Sequence, residues 1–246
     1  MNLAIDIGNT AVKWATFEGG VLTHSSVCPL GAATSPNLGE EWNGMPIERV
    51  LVCASGNDEL LAQVRSALRS PFSVLRSDMP LPIRLDYKTP ETLGADRVAD
   101  ACGAWALHKG EDCLVVDAGT CITVDFLDRE GTYHGGAIMP GVRMNLQALH
   151  TFTAKLPLIE LEPGRKAPVL GRSTEESIVA GTLGATLLAL AGYVALYRQK
   201  CPALHVLLTG GDAPLLAQGV GAGWEQVPHL TLIGLNEIMI NDENEK

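Results

Sequence analysis

Short apolar runs separated by glycine-bearing polar turns open the chain. Leu3-Ala4-Ile5 ends at Asp6, and a second apolar run extends from Ala11 to Phe17. A glycine turn, Glu18-Gly19-Gly20, then precedes a third strand-like run. Apolar runs of this length that are bounded by glycine turns are typical of β-strands. The pattern therefore predicts an N-terminal unit of three consecutive strands within residues 1–28.

The same pattern returns in the middle of the chain. Leu114-Val115-Val116 leads into the turn Asp117-Ala118-Gly119-Thr120, and an apolar run from Cys121 to Phe126 follows it. This turn repeats the Asp-x-Gly-x-Thr type of Asp6-Ile7-Gly8-Asn9-Thr10, and a glycine-bearing turn with a third strand-like run again completes the unit. Two copies in matching strand contexts indicate two domains of one ancestral design that face each other.

Helices are predicted where apolar residues recur every three or four positions. This spacing predicts helices over residues 58–70 and 96–108, and an uncharged run predicts another over 178–197. Since strands alternate with helices, the sequence predicts an α/β protein, which we divide into domains over residues 1–112 and 113–246. Further strands are predicted over residues 49–53, 72–75, 204–208 and 230–235, with a polar loop over 31–44 and a frayed, solvated end over 241–246.

The uncharged run from Ile178 to Tyr197 is long enough to span a bilayer. It is, however, rich in alanine and glycine, and Ser173-Thr174-Glu175-Glu176 before it is typical of a helix start with acidic residues in the first turn. Arg198 and Lys200 suit the last turn of the same helix. We therefore favour a helix packed by small residues at a domain or subunit interface, with a membrane span as the alternative.

The two Asp-x-Gly-x-Thr-type turns have the chemistry of a phosphate site. Glycine allows backbone N–H groups to approach an anion, and threonine adds a hydroxyl donor. The aspartate of such a turn holds a metal ion or its water shell. A single copy is also compatible with an ordinary hairpin turn, but two copies predict a site for an anionic ligand together with a cation.

Leu93-Gly94-Ala95-Asp96-Arg97 is the sharpest candidate for a catalytic segment. It places a carboxylate and a guanidinium side by side at a predicted helix start, where anions are favoured. The Asp96 carboxylate would accept the proton of a hydroxyl that attacks phosphorus, and Arg97 would bind a carboxylate or phosphate through two hydrogen bonds. The structural alternative is a helix-capping Asp96 with Arg97 on the exposed face.

Two later glycine-rich segments are weaker candidates. Thr209-Gly210-Gly211-Asp212 follows a predicted strand and would let an adenine or a ribose lie against bare backbone. The segment from Tyr133 to Gly141 is a glycine-dense strand exit. By itself the first segment is more typical of an ordinary strand-to-helix turn, and the close backbone approach in the second is also compatible with a purely structural role.

The composition narrows the classes of partner. Hydrophobic residues make up 46 % of the 246 residues, and the net charge is −10. An acidic protein lacks the basic surface that binds nucleic acid or an anionic membrane, so we expect neither partner. Six scattered cysteines without a Cys-x-x-Cys pair indicate reduced thiols and a cytoplasmic protein. We also expect no signal peptide, because Asp6 interrupts the first apolar run.

Five motifs that occur in order along nearly the whole chain resemble the type III pantothenate kinases. This family belongs to the actin/hexokinase/Hsp70-like superfamily, and the resemblance implies two ribonuclease H-like (actin-like ATPase) domains with the active site in the cleft between them. The motifs are Asp6-Ile7-Gly8-Asn9-Thr10 with Lys13, Tyr87-Lys88-Thr89-Pro90 leading to Gly94-Ala95-Asp96-Arg97, Asp117-Ala118-Gly119-Thr120 through Asp125, Gly135-Gly136 to Pro140-Gly141, and Gly171-Arg172-Ser173-Thr174-Glu175-Glu176-Ser177.

The resemblance also implies roles for individual residues. Asp96 matches the catalytic base, Asp117 matches a ligand of a monovalent cation (K⁺ or NH₄⁺), and Asp6 lies near the Mg²⁺ ion. The residues implied in binding ATP are Asp6, Ile7, Gly8, Asn9, Thr10, Ala11, Val12, Lys13 and Thr120. The residues implied in binding pantothenate are Tyr87, Gly94, Ala95, Asp96, Arg97 and Thr174.

The activity implied by the resemblance is phosphorylation of pantothenate by ATP in a cytoplasmic homodimer. The residues alone indicate only a nucleotide-dependent phosphotransferase with a carboxylate base. Two alternatives therefore stay open at the level of the sequence. One is another small-molecule kinase of the same superfamily, and the other is a nucleotide-dependent regulatory protein.

Overall fold

The computed structural model describes residues 1–30, 42, 44–54, 58–68, 71–221 and 223–244. The predicted loop over residues 31–44 lies almost entirely outside the described residues. The strands are β1 (Asn2–Ile7), β2 (Ala11–Glu18), β3 (Val21–Pro29), β4 (Arg49–Ala54), β5 (Ser73–Val74), β6 (Arg84–Leu85), β7 (Cys113–Ala118), β8 (Cys121–Leu127), β9 (Thr132–Pro140), β10 (His205–Thr209) and β11 (Trp224–Gln226). The helices are α1 (Asp58–Ala67), α2 (Ala95–Leu107), α3 (Val142–Phe152), α4 (Thr174–Val179), α5 (Ala185–Lys200), α6 (Ala213–Leu216) and α7 (Leu230–Asn244), with a 3₁₀ turn at Pro90–Thr92 and a π-helical segment at Ala180–Gly184.

The chain forms two compact units. The first comprises Met1–Lys109, Gly131–Tyr133 and His229–Lys246, and the second comprises Gly110–Glu130 and His134–Pro228. The first unit thus includes the segment from His229 onward, which the division at residue 112 assigns to the second domain. That division stays a prediction.

The first unit is built on a five-stranded sheet in the order β3-β2-β1-β4-β5. β1 pairs with β2 in antiparallel fashion and with β4 in parallel fashion. Strand β1 is buried along nearly its whole length because it is the central strand of the sheet. Its apolar side chains Leu3, Ile5 and Ile7 join the core beneath the sheet together with Val12 of β2. Consequently the end of β1, where Asp6 lies, is held by a rigid scaffold.

The second unit repeats this topology. Its strands follow the order β9-β8-β7-β10-β11, with β7 antiparallel to β8 and parallel to β10. Each element therefore occupies the place of its counterpart in the first sheet: β7 that of β1, β8 that of β2, and β10 that of β4. The predicted internal repeat and the predicted α/β class are confirmed. Short β6 extends the edge by pairing with Thr132 and Tyr133 at the start of β9.

The C-terminal part of the chain corrects two predictions. The apolar run at residues 230–235 was expected to be a strand, but it begins helix α7, which continues to Asn244. A helix forms here instead of a strand because buried apolar side chains recur at helical spacing beyond the run, at Ile238 and Met239. Thr231 also donates a hydrogen bond of 2.7 Å to the buried Asp100 carboxylate of α2. The expectation of a frayed end from residue 241 is therefore wrong up to Asn244, and residues 245–246 lie outside the described residues.

The predicted helix at 178–197 is part of a longer helical segment, Thr174–Lys200, that includes a π-helical turn. By length and composition alone this segment could cross a membrane, and 39 % of its most apolar window is buried in the chain. Ile178, Leu183 and Leu190 belong to the core of the second unit. The prediction of a buried helix therefore holds for one face only. Helix α3, for which the sequence pattern gave no prediction, packs Val142 and Leu146 into the same core.

Candidate active site

The turn between β1 and β2 brings Asp6 opposite Lys13. The antiparallel register pairs Asp6 with Lys13 and Ile7 with Val12, and the Gly8 N–H closes the turn by donating to the Ala11 carbonyl at 3.0 Å. Cross-strand partners project from the same face of a sheet, so the ammonium group of Lys13 accompanies the Asp6 carboxylate. Among the predicted ATP residues, Asn9 and Thr10 are exposed at the tip, whereas the side chains of Ile7 and Val12 are fully buried in the core. Ile7 and Val12 can therefore contact a ligand only through their backbone.

Asp6 is a buried carboxyl group with only 8 % of its surface exposed. Burial raises the pKa of Asp6 from 3.8 to about 6, the nearby Lys13 ammonium lowers it, and the nearby Asp96 carboxylate raises it further. Removal from water disfavours the charged form of a carboxyl group, as does a second negative charge. A divalent cation offsets both effects. The environment of Asp6 therefore fits the predicted Mg²⁺ neighbourhood.

Asp96 lies in the first turn of α2, at the place that the sequence predicted. The helix begins after the N-cap residue Gly94, which has no side chain to cap it. One Asp96 carboxylate oxygen accepts the Arg97 backbone N–H at 2.9 Å. A Cβ atom on residue 94 would come within 2.5 Å of the same oxygen, so a side chain there would displace the carboxylate from this position. Asp96 is therefore not the N-cap residue, which is Gly94, although its carboxylate accepts one N–H group of the first turn.

Arg97 is buried rather than displayed on the helix surface. Only 5 % of it is exposed, which excludes the alternative of a solvent-facing arginine. Its guanidinium carbon lies 5.9 Å from the ring centres of both Tyr87 and Tyr133. The first unit thus assembles Asp6, Asp96 and Arg97, together with the rings beside the arginine. Tyr133 was not among the predicted site residues, because no sequence signal joins β9 to helix α2.

The turn between β7 and β8 repeats the first turn with one difference. The Gly119 N–H donates to the Cys121 carbonyl at 2.9 Å, and the register places Thr123 opposite Asp117. A hydroxyl therefore replaces the lysine of the first turn. The Thr123 Oγ1 atom is buried and has no hydrogen-bond partner within the described part of the chain. A carboxylate and an orphaned hydroxyl oxygen together suit an oxygen-ligated cation.

Both weaker glycine segments meet the end of β7 in the second unit. The Asp212 N–H donates to the Ala118 carbonyl at 2.8 Å, and the Gly141 N–H donates to the Thr120 carbonyl at 3.1 Å. Gly210 has a φ of +95°, and a Cβ there would come within 2.3 Å of both the Ala118 carbonyl oxygen and an Asp117 carboxylate oxygen. Thr120 itself is exposed. Three glycine-bearing turns of the second unit therefore meet at the end of β7, and one of them contacts the predicted nucleotide residue Thr120.

Two charged side chains border this group of turns. The Arg143 Nε donates to the Asp212 carboxylate at 2.8 Å, and the Asp212 side chain is largely buried. Sequence reasoning missed this ion pair because its partners lie on different helices and turns, far apart in the chain. Its effect is to hold the turn after β10 against the start of α3.

Thr174 lies at the start of α4, exposed to solvent. The Ser173 hydroxyl caps the helix by accepting the Glu176 N–H at 3.1 Å, and the Glu176 carboxylate accepts the Arg172 N–H at 2.6 Å. This reciprocal arrangement confirms the predicted helix start and leaves the Thr174 side chain outside the cap.

Solved structures share this fold at low sequence identity. A protein of the Baf family of transcriptional activators from Campylobacter jejuni has a TM-score of 0.63 at 19 % identity, with 98 % of this chain and 99 % of that chain covered. Component A of (R)-2-hydroxyglutaryl-CoA dehydratase from Acidaminococcus fermentans has a TM-score of 0.53 at 16 % identity, covering 100 % and 99 %. At these identities the likeness concerns the fold alone, and the chain has the two-unit fold of the actin-like ATPases.

Comparisons of the amino-acid sequence identify the family as well as the fold. The family model described as type III pantothenate kinase matches residues 2–196. A type III pantothenate kinase of Bacteroides fragilis is 42 % identical over 214 residues, which are 86 % of each chain. One of Cytophaga hutchinsonii is 35 % identical over 242 residues, 97 % of this chain and 98 % of the relative. With the paired turns, the repeated sheet and the segment around Asp96 in place, these matches show that the chain belongs to the type III pantothenate kinase family.

Proposed function

We propose that this protein transfers the γ-phosphoryl group of ATP to the primary hydroxyl of pantothenate, which gives 4′-phosphopantothenate, the first intermediate of coenzyme A biosynthesis. The observation that carries the proposal is the Asp96 carboxylate. It lies in the first turn of α2, within electrostatic range of the buried Asp6 and beside the buried Arg97. The Asp96 carboxylate suits the hydroxyl of an alcohol, and the Arg97 guanidinium suits a carboxylate on the same molecule. The turn after β1 suits a triphosphate.

The reaction forms a bond between the pantothenate hydroxyl oxygen and the γ-phosphorus and breaks the bond from that phosphorus to the β–γ bridging oxygen. Such a transfer has a loose transition state, so positioning and charge neutralisation supply most of the rate. Asp96 orients the hydroxyl and accepts its proton as the new bond forms. Gly94 permits this orientation because its missing side chain leaves room for the carboxylate oxygen.

The substrate carboxylate is assigned to Arg97. A guanidinium presents two parallel N–H donors to a carboxylate, and burial strengthens the interaction by excluding water. Tyr87, whose ring lies beside Arg97, would border the same substrate, with Gly94 and Ala95 supplying the helix start. Thr174 is assigned to pantothenate as well, on the strength of its match to the family motif and its exposed position.

ATP and Mg²⁺ are assigned to the first turn and to Thr120. The segment from Asp6 to Lys13 provides backbone N–H groups, and the buried Asp6 provides the carboxylate near the metal. When bound, Mg²⁺ offsets the negative charge of the triphosphate. Lys13 supports the ionised form of Asp6, because the Lys13 ammonium lowers the pKa of that carboxyl group.

A monovalent cation, K⁺ or NH₄⁺, is assigned to Asp117. The support is the contrast with the first turn, where Lys13 faces Asp6, whereas the hydroxyl of Thr123 faces Asp117. The buried Thr123 Oγ1 without a partner among the described residues would supply a second oxygen ligand. The cation would add positive charge to the second unit without a lysine.

The protein is further proposed to be a cytoplasmic homodimer that binds neither nucleic acid nor membrane. The support is the apolar outer face of α5, where Leu188 is 75 % exposed and Leu196 is 60 % exposed. These residues are eight positions apart and therefore share one side of the helix. A second copy of the chain would cover this face, and the opposite face already packs in the core. The net charge of −10 disfavours anionic polymers and surfaces.

The test is phosphate transfer from ATP to pantothenate with Mg²⁺, measured in KCl and in NaCl. The expected result is 4′-phosphopantothenate at a rate that K⁺ stimulates. Asp96→Asn should lower kcat by about 100-fold or more, with ATP still bound. Asp78→Asn is the matched control, because this exposed carboxylate forms a local ion pair with Arg76, and its replacement should leave kcat unchanged.

Each contrary outcome points to a different correction. Equal rates in both salts would retain the kinase and remove the cation role of Asp117. ATP binding without transfer to pantothenate would favour another small-molecule acceptor, which a panel of hydroxyl compounds would identify. ATP binding without transfer to any acceptor would favour the regulatory alternative.

A further inference from the structure

Tyr133 is a fully buried residue beside the site to which no role has been given. Its exposed fraction is 0 %, and it lies two residues before the glycine segment that begins at Gly135. It belongs to none of the five sequence motifs. Its ring nevertheless borders Arg97, the residue assigned to the substrate carboxylate.

Three separate elements converge on the Arg97 guanidinium. Helix α2 supplies Arg97, β9 supplies Tyr133, and the segment after β6 supplies Tyr87. The β6–β9 ladder pairs Leu85 with Tyr133, and the Asp86 N–H donates to the Tyr133 carbonyl at 2.9 Å. This register holds the two rings 6.0 Å apart at an interplanar angle of 46°. The guanidinium carbon lies 5.9 Å from each ring centre, within the range of a cation–π interaction.

The burial of Tyr133 distinguishes it from Tyr87. A half-exposed ring such as Tyr87 is able to contact a ligand, whereas a ring with no exposed surface cannot. Tyr133 therefore acts on the substrate indirectly, through the neighbours that its ring contacts, Arg97 and Tyr87. Because an arginine side chain has several rotatable bonds, a fixed ring next to it reduces the number of orientations that the guanidinium adopts before ligand binds.

We propose that Tyr133 is a positioning residue that orients Arg97 for the substrate carboxylate and so makes the site selective for an acid. This inference rests on the proposed pantothenate kinase activity. It predicts a specific kinetic pattern, because a defect in carboxylate binding affects the acceptor and spares ATP. Chemistry at the hydroxyl, which Asp96 performs, should continue at nearly the same rate once the acceptor is bound.

The first experiment compares Tyr133→Leu with Tyr133→Phe in the pantothenate kinase assay. Tyr133→Leu should raise KM for pantothenate about tenfold, with kcat within about twofold and KM for ATP unchanged. Tyr133→Phe keeps the ring and should behave like the wild type. Phe72→Leu is the matched control, since it removes a comparable ring 4.9 Å from Arg65 outside the site and should leave both KM values unchanged.

A double-mutant cycle shows whether Tyr133 acts through Arg97. Arg97→Met should raise KM for pantothenate, and adding Tyr133→Leu to it should cause no further increase. Independent, multiplicative effects of the two substitutions would overturn the proposal. An equal rise in KM for ATP and in KM for pantothenate would also overturn the proposal, because that result indicates a general packing defect.

A second variant series covers the case in which Tyr133→Leu does not fold. Phenylalanine with an increasing number of ring fluorines at position 133 keeps the ring and progressively weakens its negative face. KM for pantothenate should rise with each fluorine, and a flat series would overturn the proposal. A wild-type protein that fails to phosphorylate pantothenate would instead refute the proposed function, so the two failures are distinguishable.

Discussion

Replacement of Asp6 by asparagine should stabilise the folded protein at neutral pH, although the carboxylate is assigned to ATP and Mg²⁺. The reason is the cost of holding a buried negative charge. The pKa of Asp6 is raised from 3.8 to about 6 by burial and by the Asp96 carboxylate, against the opposing effect of Lys13. Asparagine has nearly the same shape and stays neutral at every pH.

The sign and size of this change in the free energy of unfolding follow from proton linkage. Between pH 4 and pH 6 the folded state holds a proton on Asp6 that the unfolded state has already lost, so the free energy of unfolding falls as the pH rises through this window. At 1.36 kcal/mol per pH unit, the full penalty above pH 7 is about 3 kcal/mol. The free energy of unfolding of Asp6→Asn should therefore exceed that of the wild type by about 3 kcal/mol at pH 7 and by less than about 1 kcal/mol at pH 4.

The assay is urea unfolding followed by tryptophan fluorescence at pH 4, 5.5 and 7, without nucleotide or Mg²⁺. Asp78→Asn is the control, because the hydrogen bond from Arg76 lowers the pKa of this exposed carboxyl group, which is opposite to the shift at Asp6, so its replacement should not stabilise the protein as the pH rises. A difference between Asp6→Asn and wild type that does not grow from pH 4 to pH 7 would refute the reasoning. Addition of MgATP should then stabilise the wild type more than the variant, since only the wild type offers the carboxylate.

Three further outcomes are expected in the kinase assay. Gly94→Ala should lower kcat about tenfold or more, because its Cβ would approach an Asp96 carboxylate oxygen to 2.5 Å, and an unchanged kcat would contradict this placement. Lys13→Met should move the acidic limb of the pH profile of kcat/KM to higher pH, because the Lys13 ammonium lowers the pKa of Asp6. If the limb stays at the same pH, the Asp6 carboxyl group does not control that limb. Gly210→Ala should raise KM for ATP and lower the midpoint of thermal unfolding. The reason is that residue 210 has a φ of +95° and that its new Cβ would approach a backbone carbonyl oxygen to 2.3 Å. An unchanged midpoint would exclude backbone strain at residue 210.

The repeat and the helix start around Asp96 were accessible from the sequence because both depend on local chemistry. Glycine turns after apolar runs determine where strands end, and the two copies of that pattern fold into sheets with the same strand order. The helix that begins at Ala95 was predicted within one residue of its start. The run at residues 230–235 was assigned wrongly, because a short apolar run has no periodicity that separates a strand from a helix. Its helical form is decided by packing on α2, which includes the bond from Thr231 to Asp100.

The α/β class, the internal repeat and the motifs that place the chain in its family all follow from residues that are close together in the chain. Which side chains share an environment depends on how the elements pack in the folded protein. Asp6 and Asp96 influence each other because β1 and the start of α2 converge within the first unit, and Tyr133 borders Arg97 because β9 pairs with β6. The physical reason is that turn and helix propensities act over a few neighbouring residues, whereas burial and electrostatic coupling depend on contacts between segments distant in the chain.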